Sequence, residues 1–166
     1  VAQILLTADD IKDPRRSIHV HDTLQRLLDY RALPIINEND AVATDEIGIE
    51  TTIGENDTLS AIVARLVGAD ELILLSDIDG LYTADPHKDP QAALIPHIAA
   101  ITDEIRTLGG GSASNQGTGG MATKLSAAKI IMESGGDMVI ANGQDPEILY
   151  DIMEGKNSGT GFIRKA

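Results

Sequence analysis

Cysteine and tryptophan are absent from this chain, and its only aromatic residues are three tyrosines and one phenylalanine among 166. Without cysteine there is no disulfide and no thiolate metal site, a composition compatible with a cytoplasmic location. With so few aromatics, a core has to be built from Leu, Ile, Val, Ala and Met, as in many α/β proteins with parallel sheets. Positive charge is also short: 13 Lys and Arg stand against 26 Asp and Glu, a net charge of −13. So acidic a surface disfavours nucleic acid and anionic membranes, and neither is expected as a partner. A small anionic ligand remains open, because converging backbone N–H groups can hold phosphate inside a negative protein. No apolar run approaches the about 20 residues of a membrane helix. No basic segment leads into an apolar one, so no signal peptide is visible. The chain opens at Val1, and residues 1–6 are already largely apolar; it is expected to begin inside a longer polypeptide.

What is present suffices for one domain with a real core, since 42% of the residues are hydrophobic. Ile18, Val20, Leu24, Leu27, Leu28 and Tyr30 recur at helical spacing. Residues 33–36 read as a buried strand that stops at Asn37-Glu38-Asn39-Asp40, and 41–53 as an excursion such as a hairpin. Asp57 is placed to cap a helix over 58–67, with Gly68 as its terminator. Residues 71–75 form a second buried strand ending at Ser76-Asp77. Thr102 starts a short helix that glycines 109–111 end. A small, polar, glycine-rich stretch at 112–120 leads into a helix at 121–133, which Gly135-Gly136 closes. Residues 137–141 make a third strand, followed by Asn142-Gly143. Asp145-Pro146 opens a last helix, and Gly155 follows its end. Alternation of this kind predicts an α/β fold, a mostly parallel sheet with helices on both faces. Ligands bind such sheets beyond the carboxyl ends of the strands. Polar clusters gather at those ends here, although any strand leaving a core meets polar residues.

The strongest local signal is Gly117-Thr118-Gly119-Gly120-Met121-Ala122-Thr123-Lys124. Small residues let a backbone approach a ligand. A helix opening here points free N–H groups and the positive end of its dipole at that ligand. Two hydroxyls and a lysine about one turn into the helix complete a set suited to a polyphosphate. The string lacks the G-x-x-x-x-G-K-[ST] and G-x-G-x-x-G spacings, and a plain connecting loop has the same composition. The clusters at 37–40 and 54–57 pair carboxamides with carboxylates and suit a small amino acid; a turn followed by an N-cap reads the same way. Residues 76–83 could frame a base and ribose, or be a strand-to-turn junction. His19 and His21 diverge on a helix, and His87 and His97 fall in expected loops, so no metal site is expected from them.

Taken in series, the strings at 34–42 (PIINENDAV), 56–61 (NDTLSA), 80–86 (GLYTADP) and 117–124 (GTGGMATK) resemble the glutamate 5-kinases of the amino-acid kinase family. They stand in the family's order and span most of the chain. The resemblance implies a three-layer α-β-α sandwich, with a substrate-loop region at about 34–60 and a nucleotide-binding region at about 70–166. It implies transfer of the γ-phosphoryl group of ATP, with Mg²⁺, to the side-chain carboxylate of L-glutamate, the first step of proline biosynthesis. Proline as feedback inhibitor and a homo-oligomeric assembly come with it. Carried over motif by motif, Asp40 and Asn56 contact glutamate, while Ser76, Asp77, Thr118, Gly119, Gly120, Met121, Ala122, Thr123 and Lys124 contact the nucleotide. Lys124 also neutralises the phosphoryl group in flight, and Asp57 organises catalytic lysines. The family opens with a lysine-bearing strand and glycine-rich segments that have no counterpart here, so this chain alone is expected to be poorly active. Residues 45–53 look longer than the family pattern, and Glu55 stands where the family has Asp. Two other readings are a kinase of the same fold with a different acid acceptor, and a non-catalytic nucleotide-binding or oligomerisation fragment.

Overall fold

The computed structural model describes residues 1–42, 56–110, 119–156 and 158–163. Strand β1 (Ala2–Leu6) is followed by a short helix α1 (Ala8–Lys12) and a longer α2 (Pro14–Asp29), then by β2 (Pro34–Glu38), which pairs with β1 in parallel. Both helix starts have a local chemical cause. Thr7 and Asp10 form a reciprocal capping box, with the Thr7 N–H donating to Asp10 Oδ2 at 2.8 Å. The Asp13 carboxylate accepts the N–H groups of Arg15 and Arg16, with Pro14 at the first helical position.

The second part of the chain runs α3 (Asn56–Val67), β3 (Glu71–Ser76), β4 (His97–Ile98), α4 (Asp103–Leu108), α5 (Gly119–Ser134), β5 (Asp137–Asn142), α6 (Ile148–Met153) and β6 (Thr160–Phe162). Its sheet has the order β3-β5-β6-β4, parallel at β3/β5 and β4/β6 and antiparallel at β5/β6. Helix α3 ends as its glycine requires. Gly68 takes φ 68°, its N–H donates to the Arg65 carbonyl, and the Ala69 N–H donates to that of Ala64. Helix α4 starts on Thr102, whose side chain accepts the Ile105 N–H at 3.3 Å.

Two cores meet at α3. Ala61 and Ala64 share the larger one with Leu125, Ala127, Ala128 and Ile131 of α5 and with Met138, Ile140 and Phe162 of the sheet. Leu59 and Val63 belong to the smaller one, with Ile4, Leu6 and Ile36 from the first sheet and Val20 from α2. Alanine on the α5 side of α3 lets the two helices approach closely.

The α/β class and the parallel-rich pairing follow the sequence reading, and six local expectations do not. Helix α2 begins at Pro14 rather than near Ile18, because its first turn is polar and shows no apolar period. Strand β2 continues through Asn37 and Glu38 instead of stopping at them. It is also open on one face, with Ile35 54% exposed, rather than buried. Asp57 sits in the first turn of α3 rather than capping it, since the helix already includes Asn56. Asp145-Pro146 forms a turn, in which Asp145 Oδ1 accepts the Glu147 N–H at 2.9 Å, and α6 starts only at Ile148. His97 lies in β4, not in a loop. The excursion expected at 41–53 lies outside the described residues from 43 onward. Among the described residues no helix is long and apolar enough to cross a membrane.

Candidate functional site

A cleft of about 610 Å³ opens beyond the carboxyl end of β3. Its floor is Ser76, Asp77 and Ile78, where β3 leaves the sheet. One wall is the segment from Gly80 to Lys88, and the other combines Leu108, Gly109 and Gly110 with Gly120, Met121 and Lys124 at the start of α5. The first wall belongs to an irregular ribbon. The Ile95 N–H donates to the Leu81 carbonyl at 2.8 Å and the Thr83 N–H to that of Ala93 at 2.9 Å, around an antiparallel bridge between Tyr82 and Leu94.

The floor is tied to the neighbouring strand. Ser76 lies opposite Asn142 in the β3/β5 register, and the Gly143 N–H donates to the Ser76 carbonyl at 2.7 Å. Asn142 Nδ2 donates to Asp79 Oδ1 at 2.8 Å, and the Tyr82 hydroxyl donates to Asp79 Oδ2 at 2.7 Å. These two donors, Asn142 first and Tyr82 second, hold the Asp79 carboxyl below the usual carboxylate range against a small opposing effect of burial. The same contact raises the Tyr82 phenol, which gives up a hydrogen bond to a carboxylate if it ionises.

The opposite wall carries a largely buried cation. Lys124 Nζ lies 3.0 Å from Asp57 Oδ2, and the two side chains are only 11% and 20% exposed. Thr123 Oγ1 also reaches Asp57 Oδ2, at 3.1 Å, and the carbonyl of Gly120 at 3.0 Å. Lys124 stands in the first turns of α5 and Asp57 in the first turn of α3, so the close packing of these helices brings their charges together. The ammonium is thereby aimed along the cleft wall, beside N–H groups at the positive end of a 16-residue helix.

Of the nucleotide-binding residues expected from the sequence, Ser76, Asp77, Gly120, Met121 and Lys124 line this one cleft. Gly119 opens α5, and Thr123 is spent on Asp57 and on its own helix. Ala122 faces a separate hollow of about 240 Å³ with Ile101, Arg106, Leu125, Ser126 and Lys129. Thr118 lies outside the described residues. Asp57 faces Lys124. Asp40 and Asn56 do not line the cleft: Asp40 is exposed after β2, and Asn56 is exposed at the start of α3. Sequence reasoning missed Asp79 and Asn142 as partners, although both belong to strings it had singled out. His87 and Lys88, also missed, follow directly on the 80–86 string.

Against this geometry, the sequence profile of the amino acid kinase family matches residues 1–142. The chain belongs to that family. Among curated relatives, the glutamate 5-kinase of Photorhabdus laumondii subsp. laumondii is 54% identical over 98% of this chain and 43% of its own length. That of Clostridium perfringens is 50% identical over 99% of this chain and 61% of its own length. The chain thus spans roughly half the length of these relatives, between 43% and 61%. Solved structures support the amino acid kinase fold. The carbamate kinase of Giardia lamblia, bound to AMP-PNP, superposes with a TM-score of 0.62 at 20% identity, covering 87% of this chain and 49% of that one. The UMP kinase of Ureaplasma parvum gives 0.59 at 18% identity, over 87% of this chain and 53% of that one.

Proposed function

We propose that this chain supplies the nucleotide-binding part of an enzyme that transfers the γ-phosphoryl group of magnesium–ATP to the side-chain carboxylate of L-glutamate. The observation that carries this reading is the convergence of Lys124, the amino end of α5 and the Ser76-Asp77 floor on one cleft. The glutamate 5-kinase name of relatives about half identical over nearly the whole chain supports the acceptor. In this reading Ser76, Asp77 and the 80–88 wall receive adenosine, and the opening of α5 receives the phosphates. Asp40 and Asn56 hold glutamate. The nucleotide-binding region at 70–166 and the substrate-loop region at 34–60 divide the work accordingly.

Phosphoryl transfer asks a protein mainly for in-line positioning and for positive charge on the equatorial oxygens. Magnesium would come as part of the ATP substrate and would supply charge neutralisation on its phosphates. The acceptor carboxylate is itself the nucleophile, so no side chain has to attack. Lys124 stabilises charge that builds on the transferring group. Asp57 keeps that ammonium oriented before ATP arrives. Proline inhibition and a homo-oligomeric assembly belong to the same reading and are tested by inhibition kinetics and by sedimentation.

The test is glutamate-dependent ADP formation by the full-length polypeptide that carries this chain. Activity with aspartate or acetylglutamate and none with glutamate overturns the acceptor; nucleotide binding without transfer to any acid leaves a binding module. The isolated 166-residue chain is expected to turn over poorly, because only one of the family's phosphate-facing lysines has a counterpart in it.

A further inference from the structure

We propose that Thr160 is a positioning residue for the nucleotide, its hydroxyl fixing the base of the ribbon that walls the cleft. The proposal rests on the reading of that cleft as the nucleotide site. Thr160 opens β6, beyond the stretch matched by the family profile. It is fully buried, one of two polar residues in the described core. Its Oγ1 accepts the Leu81 N–H at 2.8 Å and donates to the Ile95 carbonyl at 2.7 Å. Leu81 and Ile95 are where the ribbon leaves and rejoins the body, and they are joined to each other at 2.8 Å. One hydroxyl therefore staples both ends of the excursion whose Tyr82, Asp85, His87 and Lys88 face the cleft.

Packing alone does not call for a hydroxyl here. Phe162, fully buried on the same strand, already anchors β6 in the core, and valine has nearly the volume of threonine. What valine lacks is the donor and acceptor that satisfy two backbone groups in an apolar setting, where an unmade hydrogen bond is costly. The approach is also built from the other side. A Cβ at Gly80 would overlap Thr160 Oγ1, so only glycine at that position lets the ribbon reach the hydroxyl.

The experiment compares Thr160→Val and Thr160→Ser with wild type in the full-length polypeptide. It reads kcat, the KM for ATP, the KM for glutamate, direct binding of a non-hydrolysable ATP analogue, and amide exchange at Leu81. Thr160→Val is expected to raise the ATP KM and the analogue Kd about tenfold and to lose protection at Leu81, with the glutamate KM within about twofold. Thr160→Ser, which keeps the hydroxyl, is expected to stay within about twofold of wild type throughout. Wild-type nucleotide affinity in Thr160→Val, equal losses in the two variants, or equal rises in both KM values would overturn the proposal. If Thr160→Val does not fold, Thr160→Ala is held to the same outcomes; failure of both to fold makes Thr160 a general core residue and also overturns it. A wild-type protein that binds no ATP analogue refutes the nucleotide reading itself, a result separable from any difference between variants.

Discussion

The side chain of Lys124 is only 11% exposed, and its ammonium faces the carboxylate of Asp57 at 3.0 Å. Toward the cleft it is the charge proposed to meet phosphate; toward the interior it neutralises an acid. Lys124→Ala should therefore lower kcat about 100-fold or more, the usual cost of losing a preorganised electrostatic contact. It should also cost about 1–3 kcal/mol in urea unfolding, because Asp57 loses its cationic partner and keeps the weaker contact with the Thr123 hydroxyl; the partial exposure of the pair keeps this below the fully buried case. A phosphate-facing lysine that merely dangled in solvent would show the first effect without the second. Asp79 supplies a pH signature. Its carboxyl is held below the usual value in the fold, so the native state binds fewer protons than the unfolded chain in acid. The stability it contributes is present above the unfolded pKa of about 3.9 and fades as pH falls through the lower folded value. Asp79→Asn should leave thermal midpoints with a shallower dependence on pH below about 4 than wild type. Ser76, Asp77, Gly120, Met121 and Lys124 were legible as cleft residues because they belong to contiguous strings that carry their chemistry locally. The Asp79–Asn142 pair was not, because 63 residues separate its partners and only the β3/β5 register brings them together.

Elements were legible in proportion to how strongly their ends are marked. Thr102 starts α4, Gly68 ends α3, and Gly135 closes α5 with φ 95°, all where the residue types point. The two-residue β4 and three-residue β6 are too short to show any period, and α1 is a single capped turn. One helix end uses an unfavourable residue. Arg31 adopts φ 55° after α2, with its N–H on the Leu28 carbonyl and that of Ala32 on the Leu27 carbonyl, the geometry found at Gly68. A left-handed conformation costs a side-chain-bearing residue about 1 kcal/mol relative to glycine. Arg31→Gly should accordingly raise stability by about 0.5–1 kcal/mol in denaturant titration, with activity unchanged, since Arg31 is exposed and lines no part of the cleft.

At the scale of the whole molecule, alternating helices and strands were enough to place the chain in the α/β class, whereas the reversal of β6 against β5 was not readable. Pairing direction is decided by where a strand re-enters the sheet, and residues 154–159 do not encode that in their composition. Helix α3 is the piece both cores depend on, with Leu59 and Val63 in one and Ala61 and Ala64 in the other. Enlarging its small side should be felt throughout: Ala61→Leu, at a fully buried position, is expected to cost about 1–3 kcal/mol or more through overpacking. Calorimetry should show a single transition for all the described elements, with calorimetric and van't Hoff enthalpies in agreement; two resolved transitions would mean that the sheets are held less firmly than the shared helix implies. Asp57 rides on the first turn of that helix, and Lys124 is tethered to Asp57. The helix is thus a strut between two bodies with a chemical group at its tip. A shift of the first sheet would therefore be felt at the ammonium, and in the proposed reaction the acceptor side and the phosphate side would share a single mechanical member.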